Sequence, residues 1–307
     1  MIDFSKKPLF LAPLAGFSDL PLRSVVKKFG CDVTVSEMIS ANALVYESSD
    51  KTFEMLKKSP NEDPYVVQIA GSEIENIKKA VQIINKFDGI YGLDLNCGCP
   101  VPKVVRQGAG SALLNDLDKL QSIISAIKSI SNKKSLSVKF RLGFNDKNEE
   151  KIAKVCEEAG ADYIAVHGRT RAGGYSAKVD YEAIARVKAS VKIPVVANGD
   201  INAQNADEIL NFTKCDALMI GRASIGNPWI FHEIKTKTSV DKALKQEIIL
   251  AHFDAMIEHY GEHGLCIFRK HLHQYSKGID GATTFRNDIN FIKDVTAMRE
   301  RIREFFA

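Results

Sequence analysis

The stretch IYGLDLNCGCPVPK (90–103) contains a short apolar run followed by a polar turn with two prolines. Runs of this kind recur along the chain, and amphipathic segments of helical length separate them. The eight runs are PLFLAP (8–13), DVTVSE (32–37), PYVVQIA (64–70), IYGLDLN (90–96), SLSVKFRL (135–142), DYIAVHG (162–168), IPVVANGD (193–200) and CDALMIGR (215–222). Nearly continuous apolar strands that alternate with helices are typical of parallel strands covered on their outer face. The sequence therefore predicts an α/β fold, a TIM (β/α)8 barrel.

The alternation of strands and helices ends after Trp229. Segments 240–260, 264–279 and 285–306 have helical patterns with no strand between them. We expect a barrel domain over residues 1–236, followed by a small C-terminal helical domain over residues 237–307. The helical part contains the stretch FRKHLHQYSKG, in which cationic and aromatic residues are mixed. This composition fits a solvated helix face as well as a surface for an anionic partner.

Composition and cysteine usage exclude several classes of protein. The net charge of +4 permits an anionic partner without predicting one. The sequence has no run of 18 apolar residues and no signal-peptide pattern, so we expect a cytoplasmic protein without membrane contact. Six cysteines are scattered apart from one close pair, which argues against a disulfide framework. No second pair completes a zinc tetrahedron, so no metal is expected.

Polar residues end most of the predicted strands. In a TIM barrel, active sites lie at the carboxyl ends of the strands, so these residues should form one ring at one mouth. The ring contains Glu37, Gln68, Asn96, Lys139, Arg141, His167, Arg169, Asn198, Asp200 and Arg222. Gly199 and Gly221 follow strands seven and eight, where many TIM barrels bind a phosphate group through backbone N–H groups. Tight turns that require glycine are the alternative explanation.

A lysine and a histidine in this ring suggest a flavin. Lys139 lies inside an apolar strand with Arg141 on the same side, and a lysine there is costly unless it meets an anion or an electron-rich carbonyl. Beside a flavin, such a cation stabilises the negative charge of the reduced ring. Gln68 and His167 can hydrogen-bond the same ring, although His167 is equally consistent with a core histidine. No GxGxxG motif follows a strand, so a Rossmann dinucleotide site is not expected.

The close cysteine pair, Cys97 and Cys99, directly follows a predicted strand. Metal ligation, a disulfide, a reactive thiol and core packing are the candidate roles. Cys97 is close to the strand and is expected to pack inward, whereas Cys99 precedes Pro100, which favours an extended conformation on the loop. A thiol that is protonated at pH 7 can donate a proton, and the sequence shows no partner base for a thiolate nucleophile. Cys99 is therefore the predicted reactive thiol.

Seven motifs occur in order over nearly the whole chain. They are APLAG (12–16), VVQIAG (66–71), LDLNCGCPVPKV (93–104), SVKFRLGF (137–144), VHGRTR (166–171), VANGDI (196–201) and MIGRASIGNPWIF (219–231). Together they resemble the tRNA-dihydrouridine synthase family, and the sequence is most similar to its bacterial B-type branch. Family members often have methionine or phenylalanine in place of Cys97, which leaves the role of that residue open.

The resemblance implies an oxidoreductase that reduces the C5–C6 double bond of specific uridines in tRNA to 5,6-dihydrouridine. It implies FMN as a noncovalent cofactor and NADPH as the reductant, with NADH as the alternative. The hydride passes from FMN N5 to uridine C6, and Cys99 donates the proton to C5. The residues implied to hold FMN are Pro13, Leu14, Ala15, Gln68, Lys139, His167, Asn198, Gly199, Asp200, Gly221 and Arg222.

The resemblance also implies tRNA as the partner of the helical domain. Asn96 and Arg141 are hypothetical uracil-positioning residues, and Arg269, Lys270 and Lys277 are expected to contact tRNA phosphates. A monomer without a protein partner is expected. Two alternative functions also fit these residues. One is an FMN barrel that reduces free pyrimidines, and the other is a noncatalytic tRNA-binding protein that uses an inherited barrel.

Overall fold

The structure is a computed structural model that describes residues 2–47 and 49–307. Strands and helices alternate along the chain as far as residue 236. The strands are β1 (Leu9–Leu11), β2 (Val33–Val35), β3 (Ile39–Ser40), β4 (Tyr65–Ala70), β5 (Gly92–Cys97), β6 (Ser135–Arg141), β7 (Tyr163–His167), β8 (Val195–Asn198) and β9 (Ala217–Ile220).

Eight of these strands form a closed parallel barrel. Strand β2 pairs with β1 on one side and with β4 on the other, and β1 pairs with β9, so the sheet closes on itself. The two-residue strand β3 is an addition that pairs with the carboxyl end of β4. Each barrel strand coincides with one of the eight apolar runs to within a few residues. The prediction of a TIM barrel is confirmed.

Helices cover the barrel and then continue without strands. They are α1 (Leu20–Lys28), α2 (Asp50–Glu54), α3 (Ile74–Ile84), α4 (Pro102–Arg106), α5 (Leu117–Ile130), α6 (Glu149–Glu158), α7 (Tyr181–Ser190), α8 (Ala206–Thr213), α9 (Ile230–Thr236), α10 (Lys242–Tyr260), α11 (His263–Tyr275), α12 (Ala282–Phe291) and α13 (Val295–Phe306). Consecutive long helices of the barrel, α5 to α8, pack against one another around its outside.

Helix α5 shows why these segments are helical. Its buried residues Leu120, Ile123, Ile124 and Ile127 recur every three or four positions and form one apolar stripe. The side chain of Asp116 accepts a hydrogen bond from the backbone N–H of Lys119 and caps the amino end of the helix. Each fully buried aliphatic side chain contributes roughly 1.5–3 kcal/mol relative to an exposed one.

The C-terminal part differs from the sequence prediction in one respect. We expected a single helix over residues 285–306, whereas the structure has two helices separated at Ile292–Asp294. The side chain of Asp294 accepts a hydrogen bond from the N–H of Ala297, which makes it the amino-terminal cap of α13. The single-helix prediction was wrong because a cap in mid-segment starts a new helix.

The helical part packs on the barrel through a shared apolar cluster. Phe253 and Phe268 are buried at the centre of this cluster. The cluster also contains Val25 of α1 and Trp229, which lies just before α9, so the barrel supplies part of its surface. The contact between α1 and α10 runs along the same interface.

All six cysteines are free thiols, and Cys97 is fully buried in the core, as predicted for a packing residue. Among the residues that the structure describes, no helix is both long enough and apolar enough to cross a membrane.

Candidate active site

The carboxyl ends of the barrel strands bring the predicted polar ring together. Parallel pairing places Asn96 beside Lys139. His167 pairs in register with Arg141 on one side and with Asn198 on the other. These five residues therefore lie at one mouth of the barrel, where TIM barrels carry their active sites.

A chain of buried hydrogen bonds runs beneath this mouth. The hydroxyl of Ser137 donates to Asp94 Oδ1 (2.6 Å), and Gln68 Nε2 donates to Asp94 Oδ2 (2.7 Å). Asn96 Nδ2 donates in turn to Gln68 Oε1 (2.8 Å). Burial raises the pKa of Asp94 to about 6, and the bonds from Ser137 and Gln68 oppose that rise.

The same series of hydrogen bonds holds the loop that carries Cys99, whose thiol is half-buried. Asn96 Oδ1 accepts hydrogen bonds from the N–H groups of Gly98 (3.1 Å) and Cys99 (2.9 Å). On the other side of the loop, the N–H (3.1 Å) and hydroxyl (2.9 Å) of Ser111 both donate to the Cys99 carbonyl. A Cβ on Gly110 would lie 3.0 Å from that carbonyl oxygen, so a larger residue would push the loop away. The backbone of Cys99 is thus held from both sides.

Arg141 ties this loop to the loop that follows β7. Its Nε donates to the carbonyl of Gly98 (2.8 Å), and its Nη1 donates to those of Gly174 (2.8 Å) and Thr170 (3.1 Å). Most of the guanidinium donors are therefore bound to backbone. Contact of Arg141 with uracil stays a prediction, and the structure shows that its side chain links the two loops.

Lys139 provides the positive charge at the centre of the mouth. Its ammonium donates to Asn198 Oδ1 (3.0 Å), and Asn198 Nδ2 donates to the carbonyl of Met219 (2.8 Å). Burial lowers the pKa of Lys139 to about 8, while the carboxylate of Asp94 raises it. The ammonium is thus weakly compensated and well suited to meet a negative charge.

His167 faces the same space as a neutral imidazole. Burial, together with the nearby cations led by Lys139, lowers its pKa to about 2. Within residues 2–47 and 49–307, no group hydrogen-bonds its buried Nδ1 atom. Buried polar atoms nearly always have partners, so this nitrogen fits a ligand that the protein alone does not supply.

Two arginines and a carboxylate form the far edge of the mouth. Arg169 and Arg222 both donate to the carboxylate of Asp200. Burial would raise the pKa of Asp200, but the hydrogen bonds from both guanidinium groups hold it below its usual value. Gly199 has φ +129°, a conformation that favours glycine, and Gly221 precedes the short 3-10 turn at Arg222–Ser224. The carboxylate of Asp200 is therefore paired with Arg169 and Arg222 and fixes the orientation of both side chains.

The loop after β1 completes the rim. Pro13 and Leu14 are half-buried and Ala15 is exposed. The backbone N–H of Leu14 donates to the hydroxyl of Ser18 (2.8 Å), which fixes the turn. These residues follow the carboxyl end of β1, so they lie on the same face of the barrel as the rest of the ring.

Three residues of the site were missed by the sequence interpretation. Asp94 lies two positions before Asn96 in one strand, so the rule that alternate residues share a face could have found it. Ser111 and Tyr175 lie outside the strands, where no periodicity applies. Tyr175 is 58% exposed, and its ring centre lies 5.2 Å from the guanidinium carbon of Arg141 and 5.5 Å from that of Arg222.

The three predicted tRNA contacts in the helical part have different surroundings. Arg269 donates to the carbonyl of Ile292 (2.8 Å), and no partner for its buried Nε is present among the described residues. Lys270 lies 5.3 Å from the ring centre of Phe17, close to the barrel mouth. Lys277 is exposed and borders a cavity of about 390 Å³ between the two parts of the molecule. The structure does not gather them into one cluster.

The fold and this mouth define a (β/α)8-barrel protein with a cationic, thiol-bearing site and an appended helical part. The chain belongs to the dihydrouridine synthase (Dus) family, whose sequence profile matches residues 10–307.

Similar proteins cover almost the full length of the chain. A Helicobacter pylori (strain J99) protein named "Probable tRNA-dihydrouridine synthase" is 51% identical, over 99% of this chain and 94% of its own length. The tRNA-dihydrouridine synthase B of Pseudomonas aeruginosa is 37% identical, over 97% of this chain and 92% of its own.

Solved structures with the same fold are more distant. The old yellow enzyme of Trypanosoma cruzi superposes with a TM-score of 0.58 at 10% identity, covering 76% of this chain and 89% of its own. Morphinone reductase superposes with a TM-score of 0.55 at 12% identity, covering 76% and 87%. At such low identity the likeness describes the barrel alone.

Proposed function

We propose that this protein is a tRNA-dihydrouridine synthase, an FMN-dependent oxidoreductase that reduces the C5–C6 double bond of uridines in tRNA. NADPH is the proposed reductant. Family membership and the names of the H. pylori and P. aeruginosa relatives support this function. The observation that carries the proposal is the half-buried thiol of Cys99, held at the same mouth as the charged Lys139 and the neutral His167.

The residues at the mouth fit FMN. His167 Nδ1 has no bonding partner among the described residues, and Lys139 offers a positive charge. The flavin-contacting residues that we propose are Pro13, Leu14, Ala15, Gln68, Lys139, His167, Asn198, Gly199, Asp200, Gly221 and Arg222. Arg222 lies with the glycine turns after β8 and β9, where barrels of this class bind phosphate groups.

Each protein group has one proposed task in the reaction. FMN, when bound, supplies the hydride that reaches uridine C6. Lys139 stabilises negative charge on the flavin ring. Cys99 donates the proton to C5, and Asn96 and Ser111 hold its loop so that the thiol meets the base in a fixed position.

The tRNA must present its uridine outside the base stack, because the mouth is recessed within the barrel. Extruding a base costs a few kcal/mol, which contacts elsewhere on the tRNA must offset. We propose that residues 237–307 form the domain that makes these contacts, with Lys270 and Lys277 among the phosphate-binding cations. The protein is further proposed to act as a monomer in the cytoplasm.

The test compares wild type with Cys99→Ala. Purified protein should be yellow, and tRNA incubated with it and NADPH should gain two mass units at a uridine. General acid catalysis typically contributes about 10²–10⁴-fold, so we expect Cys99→Ala to slow tRNA reduction by that factor. Reduction of the flavin by NADPH should proceed at the wild-type rate. The loss of the yellow flavin absorbance measures this step.

Cys266→Ala is the matched control, because Cys266 is an exposed thiol on α11. This variant should behave as wild type in both half-reactions. A Cys99→Ala protein that reduces tRNA normally would refute the assigned proton donor. Reduction of free uridine as fast as tRNA would refute the substrate class.

A further inference from the structure

Three buried side chains meet where the helical part joins the barrel. Asp19 caps the amino end of α1, directly after the β1 loop, while His252 lies on α10 and His271 on α11. Their exposed fractions are 5%, 0% and 1%. One carboxylate oxygen and one nitrogen from each ring lie within 4.8 Å of one another. The three residues are distant in sequence, so they form no metal-binding sequence motif.

The nitrogen atoms of this cluster lack partners. His252 Nδ1 is 2.9 Å from the hydroxyl of Tyr275. Within the described part of the chain, neither His252 Nε2 nor either nitrogen of His271 has a hydrogen-bond partner. The two imidazole rings are 4.7 Å apart and nearly perpendicular. Three unpartnered nitrogen atoms beside a buried carboxylate are costly for a protein unless another group lies between them.

Charges of both signs act on Asp19. The carboxylate of Glu37 is opposed by the cationic side chains of Lys270 and Arg23. Arg23 is itself paired with Glu62, with its Nε 2.7 Å from Glu62 Oε1.

Hydrogen bonds orient the outer sides of these groups. The N–H of Leu22 (3.1 Å) and the hydroxyl of Tyr260 (3.3 Å) both donate to the Asp19 carboxylate. Tyr275 fixes the ring of His252 through Nδ1, as groups behind a metal-binding histidine usually do. Two imidazoles and one carboxylate form a donor set that suits divalent transition metals such as zinc and iron.

We propose that Asp19, His252 and His271 bind one divalent transition-metal ion that clamps the helical part to the barrel. Metal–ligand distances near 2.0–2.2 Å would draw the three groups together by roughly 1 Å, and a water molecule would occupy the remaining position of a tetrahedron. The role of the ion would be structural, because all three ligands are buried where the helical part joins the barrel and none of them is among the residues proposed to contact flavin or uracil.

The experiment measures metal content and metal-dependent stability of the full-length protein. Protein purified without chelator is analysed by inductively coupled plasma mass spectrometry and should contain about one ion per chain. After removal of the ion with a chelator, Zn²⁺ should restore binding and raise the melting temperature by about 3 °C or more.

Two variants and a control make the result specific. Asp19→Asn keeps a good helix cap but removes the charge, and His271→Phe keeps the ring shape but removes both nitrogens. Both should lose the ion and the response to Zn²⁺, whereas His263→Asn, at an exposed position of α11, should retain them.

Other results would overturn the proposal. If wild type contains no stoichiometric metal and its melting temperature does not respond to Zn²⁺, Mn²⁺ or Co²⁺, there is no site. His271→Phe would then be as stable as wild type or more stable, because it removes unpartnered nitrogens from the core. Metal that persists in both variants would place the ion elsewhere.

Discussion

Replacement of Lys139 by methionine should make the flavin-free protein more stable while weakening its proposed cofactor site. Burial lowers the pKa of Lys139 from 10.5 to about 8, so the folded protein penalises the charged ammonium. The difference corresponds to roughly 3 kcal/mol, and contact of the half-buried side chain with solvent reduces this to roughly 2 kcal/mol. The lost hydrogen bond to Asn198 costs about 1 kcal/mol. We expect a net gain of about 1 kcal/mol at pH 7.

The stability difference between Lys139→Met and wild type should depend on pH. Because the folded pKa is below the unfolded value, the penalty is fully present below about pH 8 and disappears as the pH rises towards 10.5. The stability advantage of Lys139→Met should therefore shrink between pH 7 and pH 10. Without the ammonium, FMN should bind more weakly, because the proposed contact between Lys139 and the flavin ring is lost.

Urea unfolding of the flavin-free proteins at both pH values measures the first effect, and fluorescence titration with FMN measures the second. Lys154→Met, at an exposed position of α6, is the matched control and should change stability by less than about 0.5 kcal/mol. A Lys139→Met protein that is less stable than wild type at pH 7 would refute the reasoning. A stability difference that does not vary with pH would do the same.

Three further predictions concern the Cys99 loop, tRNA binding and stability. Ser111→Ala removes one of the two hydrogen bonds to the Cys99 carbonyl. Reduction of tRNA should therefore slow about 10-fold, while reduction of the flavin by NADPH should be unchanged. Stopped-flow kinetics measure both rates, and equal slowing of the two would contradict the reasoning. Lys277→Ala should lower the slope of log affinity against log salt by about 0.7–0.9 in tRNA filter binding, whereas Arg269→Ala should lower the melting temperature because it frees the Ile292 carbonyl. An unchanged slope in Lys277→Ala would argue against a phosphate contact.

The barrel was predictable because its signal is local. Each strand is a short apolar run, and burial on both faces makes that run continuous. The same rule placed Gln68, Lys139 and His167 at one mouth, since the carboxyl ends of parallel strands meet there. The break before α13 was missed because Asp294 acts through a single cap, which periodicity over a long segment hides.

Contacts between distant segments were not predictable in this way. The Ser111 bond to Cys99 depends on how a 3-10 turn packs under a loop, and the position of Tyr175 depends on the path of the β7–α7 segment. Asp19 and His271 are separated by most of the chain and meet only because α11 packs against the barrel.

The shared apolar cluster has an evolutionary consequence. Val25 and Trp229 belong to the barrel by sequence, yet they pack in the core of the helical part. The two parts are therefore not interchangeable modules, because a graft of residues 237–307 from a relative would meet a barrel surface shaped for another partner. Substitutions that reshape the buried face of residues 237–307 therefore require matching changes at Val25 or Trp229 if the interface is to stay closely packed.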